Sequence, residues 1–300
     1  MCINRPGKGG TSSSIASTKQ HHGKTTTDER HHVQTSVDDI ITILDYHGIR
    51  KTNLLYMCAG STFAYSFASK YPDRTTGYIL GIASWVLRSD PSSANHGDVK
   101  TPQMHSLTHR LAMQGYFGPK WFVSNLVGGV MGSVSVIFSS VPPGWVGHQL
   151  KKDLSQDEIL KFEEQYPDVE EFVELMKWIH NDGCDDEANG FAISSCGTND
   201  TESVSGNKKE GDAKDVAVCL STQQDLGLIY KSTVPPQRQV LLWHGEDDKM
   251  IYIAGSKYLK CSIPNANLTR IAEGTHQGVM FCFPDEALEA LNRISRDAPV

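Results

Sequence analysis

The sequence predicts an α/β protein whose strand-and-helix core is interrupted by a long insertion. Short apolar runs of strand length occur before residue 84 and after residue 238, and segments with helical periodicity follow them. The stretch between them is different in character and contains predicted helices and polar segments. A chain of 300 residues with 39% hydrophobic content is long enough to bury a large core.

One strand-turn-helix unit near the start of the chain carries a nucleophilic residue. Residues 54–57 form a short apolar run typical of a buried strand, and Phe63 and Phe67 recur after it at helical spacing. Cys58 lies between the two segments, and Gly60 follows it. A sharp turn from strand to helix exposes such a residue, and the backbone N–H groups at the helix start favour a thiolate. The alternative is an ordinary buried cysteine.

One helix is predicted before this unit. Ser36 is a suitable N-cap, and an apolar face extends from Val37 to Leu44 before Gly48. Residues 12–34 are polar and rich in Ser, Thr and His, which predicts a solvated loop. Adjacent histidines such as His31–His32 do not have the spacing of metal ligands, so a metal site is the weaker alternative.

Further apolar runs predict three more strands, at residues 78–83, 239–243 and 267–271. Helices are expected at residues 253–261 and 284–294, and a proline at position 284 suits the first turn of a helix.

A polar turn follows each of the last two predicted strands. The segment from His244 to Asp248 follows one strand, and the segment from Glu273 to Gly278, which contains His276, follows the other. Gly and Asp favour turns without any function, and a single histidine in a loop is often only a polar surface group. Their positions after strands nevertheless make a carboxylate and an imidazole candidates for one site.

These segments together resemble the α/β-hydrolase family. The unit around Cys58 resembles the family's nucleophile elbow, the turn ending at Asp248 resembles its His-Gly-x-x-Asp segment, and the loop around His276 resembles its Gly-x-Gly-His loop. Most members carry Ser at the position of Cys58, although dienelactone-hydrolase-like members carry Cys. Tyr56 stands where the family usually has Gly, and Thr275 replaces the second Gly of the histidine loop.

The resemblance implies a catalytic triad in the family's chain order. Cys58 would be the nucleophile, His276 the base and Asp248 the acid, with Asp247 as the alternative acid. The Ala59 N–H, directly after the nucleophile, would supply one oxyanion donor. The implied reaction is hydrolysis or acyl transfer on an ester, thioester or lactone of a small acyl substrate, without a cofactor. The chain also resembles fungal hydrolases of secondary-metabolite and host-selective-toxin clusters.

The resemblance further implies a sheet that is shortened at its N-terminal side. Residues 1–11 resemble the family segment that follows the fourth strand. The strands expected before it, and a His-Gly segment with the second oxyanion donor, would then precede Met1. We expect either missing N-terminal residues or a shortened sheet with an exposed edge. The expected hydrolase core is residues 1–84 and 236–300, and the inserted cap is residues 85–235.

The inserted cap is expected to be large and helical. Residues 103–114, 157–166 and 169–180 have helical patterns, the last two with acidic outer faces. Residues 121–149 contain no Asp, Glu, Lys or Arg. This composition favours cap helices whose apolar side faces an acyl site. A transmembrane helix is the alternative. Residues 181–215 are polar and without periodicity, which predicts a disordered loop without the ligand spacing of a calcium site.

Composition argues against several classes of function. The net charge of −7 comes without a dense basic patch, which argues against a nucleic-acid partner. The 7 Cys include no C-x-x-C pair and no signal peptide is recognised, which predicts a reduced intracellular, cytoplasmic compartment. The resembled fungal group has peroxisomal members, but the terminal Asp-Ala-Pro-Val is not a peroxisomal address. A catalytically silent binding protein and a membrane-associated protein are the alternatives to an enzyme.

Overall fold

A parallel sheet forms the centre of the protein in the computed structural model, which describes residues 26–88, 111, 117–119, 122–127, 142–180, 213–234 and 238–297. The 4 strands lie side by side in chain order. They are β1 (Thr52–Met57), β2 (Thr75–Ile82), β3 (Gln239–Gly245) and β4 (Ala266–Ile271). The predicted α/β class is confirmed, and each predicted strand is present.

Helices connect the strands and cover both faces of the sheet, as parallel strands require. They are α1 (Thr26–Tyr46), α2 (Gly60–Lys70), α3 (Pro143–Lys152), α4 (Gln156–Gln165), α5 (Val169–His180), α6 (Gln223–Leu226), α7 (Tyr230–Thr233), α8 (Ala254–Ser262), α9 (His276–Phe281) and α10 (Pro284–Asp297). Residues 122–127 and 213–219 are also helical.

The side chains of the central strands alternate between two apolar cores, one on each face of the sheet. Ile79, Val240 and Leu242 pack with residues of α1, α2 and α8. Leu80 and Leu241 pack on the opposite face with residues of α9 and α10. Both faces of β2 and β3 are therefore buried, which is why their sequences read as continuous apolar runs.

In the described part of the chain, β1 lies at an edge of the sheet and pairs with β2 alone. Leu55 on β1 is 49% exposed, whereas Leu80, its register partner on β2, is fully buried. The exposure of Leu55 is consistent with the exposed edge expected for a shortened sheet. Residues 1–11, which carry the resemblance to the segment after the family's fourth strand, lie outside the described residues.

The turn from β1 to α2 is tight and held by backbone hydrogen bonds. Cys58 has a φ of 49°, and Ala59 is the last residue before the helix. The Cys58 N–H donates to the Ile82 carbonyl at 3.0 Å, and the Cys58 carbonyl accepts from the N–H groups of Ser61 and Trp85 at 3.2 and 3.1 Å. A left-handed backbone at a non-glycine residue costs on the order of 1–3 kcal/mol and persists only where the surroundings fix it.

Tyr56, which replaces the family's usual Gly, is accommodated by a glycine on the neighbouring strand. It pairs with Gly81 across β1 and β2, and a Cβ added at Gly81 would overlap the Tyr56 ring. The Tyr56 hydroxyl hydrogen-bonds with the hydroxyls of Tyr65 and Ser84, each at 2.9 Å. Burial raises the pKa of Tyr56 to about 12, so this hydroxyl stays neutral. The large side chain thereby ties the elbow strand to α2 and to the segment after β2.

The first helix begins earlier than the sequence predicts. Ser36, the predicted N-cap, lies within α1, and its hydroxyl donates to the His32 carbonyl at 2.8 Å. His32 and Val33 are buried, so the predicted solvated loop at residues 12–34 is wrong from Thr26 onward. The helix extends past the cap signal at Ser36 because burial of its apolar face stabilises the earlier turns. Tertiary packing thus overrides the local preference for a helix start at this residue.

The end of the predicted disordered segment is also helical. Residues 213–219 form a helix, and Asp215 Oδ1 lies 3.2 Å from Nε2 of the buried His32. The predicted disorder at residues 181–215 is therefore wrong for its last residues, which pack against α1. Residues 181–212 lie outside the described residues.

The helices predicted at residues 157–166 and 169–180 are confirmed as α4 and α5. Phe122 and Leu126 are 45% and 56% exposed, and residues 128–141 lie outside the described residues, so the apolar side expected of residues 121–149 toward a site stays a prediction. Most of the helix predicted at residues 103–114 lies outside the described residues. No helix in the described ranges has the length and apolar content needed to cross a membrane. The boundaries of the predicted core and cap stay a prediction.

The pairing of Tyr56 with Gly81 gives a stability prediction. We expect Gly81→Ala to lower the free energy of unfolding by about 1–3 kcal/mol, because the added methyl group must displace the buried Tyr56 ring. Gly77→Ala on the same strand is the matched control, since a Cβ there meets nothing within 4 Å. Urea unfolding followed by circular dichroism measures both. Equal stabilities for the two variants would contradict the proposed role of Gly81.

Candidate active site

Three of the residues predicted for the site follow strands at the same edge of the sheet. Cys58 follows β1, Asp248 follows β3, and His276 follows β4. The carboxyl ends of parallel strands lie together, so these residues meet. The sequence predicts His276 in a loop, but it is the first residue of α9. The Thr275 hydroxyl caps this helix by accepting from the Gly278 N–H at 3.0 Å.

Asp248 is buried and orients His276. Its Oδ2 accepts from His276 Nδ1 at 2.8 Å, and its Oδ1 accepts from the N–H groups of Met250 and Ile251 at 2.9 and 2.8 Å. Each carboxylate oxygen therefore has a donor, which fixes the carboxylate plane. Asp247, the alternative acid, is exposed. Of the two acids, Asp248 is the one that contacts the imidazole.

The imidazole of His276 lies between a carboxylate and a thiol. Burial lowers the pKa of His276, but hydrogen bonds and charge interactions with Asp248 and Cys58 outweigh it and raise the pKa to about 9. Because Nδ1 donates to Asp248, Nε2 is the ring nitrogen that remains for a second partner. At neutral pH the ring is therefore mainly protonated, which is the state that stabilises a neighbouring thiolate.

A second buried histidine, His244, contacts the same carboxylate. Its Nε2 donates to the Ile251 carbonyl at 2.8 Å and lies 3.5 Å from Asp248 Oδ2, and its Nδ1 accepts from the Ser256 hydroxyl at 2.7 Å. Burial lowers the pKa of His244, so it stays neutral while His276 takes the charge. In the sequence, His244 stands only as part of a turn motif, and nothing local to it indicates Ser256 as its partner.

A close backbone approach joins the turn of Asp248 to the loop of His276. The Asp247 N–H donates to the Gly274 carbonyl at 3.0 Å. A Cβ added at Gly245 would overlap the Gly274 backbone. Glycine is the residue that permits such an approach, so the glycines of the two motifs bring the carboxylate and the imidazole together.

Glu158, from helix α4 of the insertion, also contacts the histidine loop. Its Oε1 accepts from the Thr275 N–H at 2.8 Å, and its Oε2 accepts from the Thr275 hydroxyl and the Ser155 N–H, both at 2.9 Å. Glu158 is 2% exposed, so the predicted acidic outer face of this helix is wrong at this position. The Ser155-x-x-Glu158 spacing is a capping-box signal in the sequence. That signal does not indicate the contact with Thr275.

Ala59 lies at the position expected for an oxyanion donor. It immediately follows Cys58 and precedes the first turn of α2, an 11-residue helix. Backbone N–H groups at the start of a helix favour negative charge near them. The role of Ala59 as a donor stays a prediction.

The described residues include no group of at least 3 His, Cys, Asp or Glu side chains that could hold a metal ion. The weaker sequence alternatives for metals at residues 21–22 and 182–187 lie outside the described ranges. No disulfide forms within the described part of the chain, where the free cysteines are Cys58, Cys219, Cys261 and Cys282. Burial and the Glu158 carboxylate raise the pKa of Cys282 to about 12, which keeps that thiol protonated.

The opposite pKa shifts of His276 and His244 give a second prediction. We expect His276 to titrate near pH 9 and His244 below its ordinary 6.5. A folded-state pKa raised above 6.5 gives stability that is fully present below pH 6.5 and is lost as pH rises through about 9. Asp248→Asn lowers the pKa of His276 and reduces this loss, because the carboxylate that favours the charged ring is gone.

NMR titration of the imidazole protons measures both pKa values, with His276→Gln and His244→Gln to assign the signals. Urea unfolding between pH 6 and 10 measures the stability. Two histidines that titrate together near their ordinary value would contradict the assignment of charge to His276.

No family model and no curated protein matches the chain. An α/β-hydrolase fold protein from Nakamurella multipartita is structurally similar over 98% of this chain and 80% of its own, with a TM-score of 0.50 and 16% identity. The 2-hydroxy-6-oxo-6-phenylhexa-2,4-dienoate hydrolase of Rhodococcus sp. strain RHA1 is similar over 98% of this chain and 74% of its own, with a TM-score of 0.48 and 14% identity. The parallel sheet, its flanking helices and the similarity to the Nakamurella protein show that the chain has the α/β-hydrolase fold.

Proposed function

We propose that this protein is a hydrolase that cleaves an ester, thioester or lactone through Cys58, His276 and Asp248. The observation that carries the proposal is the 2.8 Å hydrogen bond from His276 Nδ1 to Asp248, together with the position of His276 near Cys58, whose side chain is one of the causes of the raised pKa of His276. A nucleophile, a base and an orienting acid in this order are the arrangement that acyl-transfer enzymes use on unrelated folds.

In the first half-reaction, the Cys58 thiolate attacks the substrate carbonyl carbon. The protonated His276 stabilises the thiolate before attack, since its pKa is raised to about 9. As the carbon–sulfur bond forms, an electron pair moves to the carbonyl oxygen, and the Ala59 N–H donates to this oxyanion. The electron pair then returns, the alcohol or thiol leaves with the proton of His276, and an acyl thioester remains on Cys58.

In the second half-reaction, His276 acts as a base toward water. Contact with the Cys58 side chain is one of the causes that raise the pKa of His276, and acylation removes that cause. The pKa therefore falls, and the neutral imidazole takes a proton from water while the water oxygen attacks the thioester. The carboxylic acid leaves, and the sulfur regains the thiolate–imidazolium pair. Asp248 orients the ring in both steps.

The sequence resemblance and the surface beside the acid turn support the proposed substrate class. Met250 and Tyr252 follow Asp248 and are 45% and 36% exposed, which gives apolar surface next to that turn. Apolar surface of this kind suits an acyl or polyketide-like chain better than a charged substrate. The resemblance to fungal secondary-metabolite hydrolases supports testing esters, thioesters and lactones of such chains first.

Replacement of the nucleophile tests the proposal directly. We expect Cys58→Ala to lower kcat/KM for these substrates by about 1,000-fold or more, because no acyl thioester forms. Cys261→Ala is the control, since Cys261 on α8 is the most exposed of the described cysteines and would react before Cys58 if accessibility alone decided. Mass spectrometry after reaction with an activated ester is expected to find the acyl group on the Cys58 peptide.

Acylation on another cysteine, or turnover retained by Cys58→Ala, would overturn the assignment of Cys58. A folded wild-type protein that neither turns over nor is acylated by any of the three substrate types would favour the catalytically silent binding protein instead.

The pH dependence of acylation gives a further prediction. With an alkyl ester, whose alkoxide leaving group needs a proton, we expect the single-turnover rate to fall as pH rises through about 9. The reason is that His276 then loses the proton that it must give to the leaving group. Asp248→Asn is expected to move this decline to lower pH, because it lowers the pKa of His276. A rate that keeps rising above pH 9 would indicate an unpaired thiol and argue against the mechanism.

A further inference from the structure

A buried acidic residue of the insertion is built into the loop that carries His276. Glu158 is 2% exposed, and its partners Thr275 and Ser155 belong to segments far apart in the chain. Neither the fold nor the proposed triad requires a carboxylate at this place. We propose that Glu158 is a positioning residue that holds His276 in line with Asp248 and Cys58, an inference that rests on the proposed function.

The hydrogen bonds of Glu158 meet at the residue directly before His276. The Thr275 N–H donates to Oε1 at 2.8 Å, and the Thr275 hydroxyl donates to Oε2 at 2.9 Å. With its proton committed to Glu158, the same hydroxyl accepts from the Gly278 N–H at 3.0 Å and caps α9. Glu158 thus fixes the backbone and the side chain of Thr275, and with them the start of the helix that carries the imidazole.

The chain has space and donors for this carboxylate. A Cβ added at Gly278 would overlap the Glu158 carboxyl group, so the glycine leaves room for it. The third donor, the Ser155 N–H at 2.9 Å, comes from the N-cap of the Glu158 helix. A buried carboxylate is costly unless donors surround it, and loss of the carboxylate would leave these donors without partners. Contacts of this kind hold a loop in one arrangement.

Apolar contacts around Glu158 join the insertion to the same loop. Phe162 and Phe172 of the insertion form a buried cluster with Cys282, which follows α9. The Phe172 and Phe281 rings lie 5.5 Å apart in an edge-to-face arrangement. The Cys282 thiol donates to the Glu158 carbonyl at 3.4 Å. Helix α4 is therefore seated on α9, so the packing of the insertion and the alignment of His276 are linked.

Glu158→Gln tests the inference with little change of shape. The amide keeps one acceptor for Thr275, but its NH₂ group faces the Thr275 hydroxyl and the Ser155 N–H, which are both donors. We expect kcat to fall by about 10- to 100-fold with KM changed by less than about threefold, since the ring is misaligned and substrate contacts are not. We also expect NMR titration to show the pKa of His276 falling from about 9 toward 6.5.

Three further variants make the test specific. Glu286→Gln removes an exposed ion pair with Lys161, 2.9 Å long, that joins α4 to α10, and is expected to leave kcat and the pKa of His276 unchanged. Thr275→Val removes the hydroxyl without a change of shape and is expected to act as Glu158→Gln does, which also tests the contact should Glu158→Gln not fold. Thr275→Ser, which keeps the hydroxyl, is expected to recover most of the lost kcat.

The outcomes separate this inference from the proposed function. An active wild type, with Glu158→Gln and Thr275→Val showing unchanged kcat and an unchanged His276 titration, would overturn the positioning role alone. A wild type without turnover or acylation would overturn the proposed function, and the His276 titration would still decide whether Glu158 positions the ring.

Discussion

The buried carboxylate of Asp248 is the group on which the rest of the site depends. A charge without exposure to water is stable in a protein only when donors surround it. Here the donors are the N–H groups of Met250 and Ile251 and the Nδ1 of His276. The hydrogen bond to Asp248 raises the pKa of His276, while burial keeps the neighbouring His244 neutral. The carboxylate therefore favours the charged form of His276, whereas burial outweighs its effect on His244.

Backbone strain is concentrated where the chain leaves the sheet to form this site. The non-glycine residues with positive φ in the described part are Cys58, Ala83 and Glu273, and they follow β1, β2 and β4. Each costs on the order of 1–3 kcal/mol. Hydrogen bonds to neighbouring strands offset this cost at two of the three residues. The Ala83 N–H donates to the Trp243 carbonyl at 2.9 Å, and the Cys58 N–H donates to the Ile82 carbonyl at 3.0 Å. The rigid parallel sheet stabilises turns that would otherwise relax.

The sequence predicted the strands, the turn at Cys58 and the meeting of Asp248 with His276, because each depends on a local pattern or on the geometry of parallel strands. It did not predict the early start of α1, since burial of that helix against a distant segment outweighs a local cap at Ser36. Nor did it predict the role of Glu158, whose partner lies 117 positions further along the chain. A capping-box pattern looks the same whether its carboxylate has one partner or three.

The departures from the family pattern show the same limit from the other direction. Considered alone, a tyrosine at position 56 is too large for the expected tight elbow, yet its register partner Gly81 supplies the missing volume from the next strand. Glu158 on α4 and Gly278 on α9 form a similar pair, since the Glu158 carboxyl group occupies the space that a side chain at Gly278 would take. In both cases a large side chain enters the space left by a glycine that is distant in sequence, and hydrogen bonds then fix it. Whether a residue fits a motif thus depends on the residue that faces it, and for Tyr56 the strand register identifies that residue.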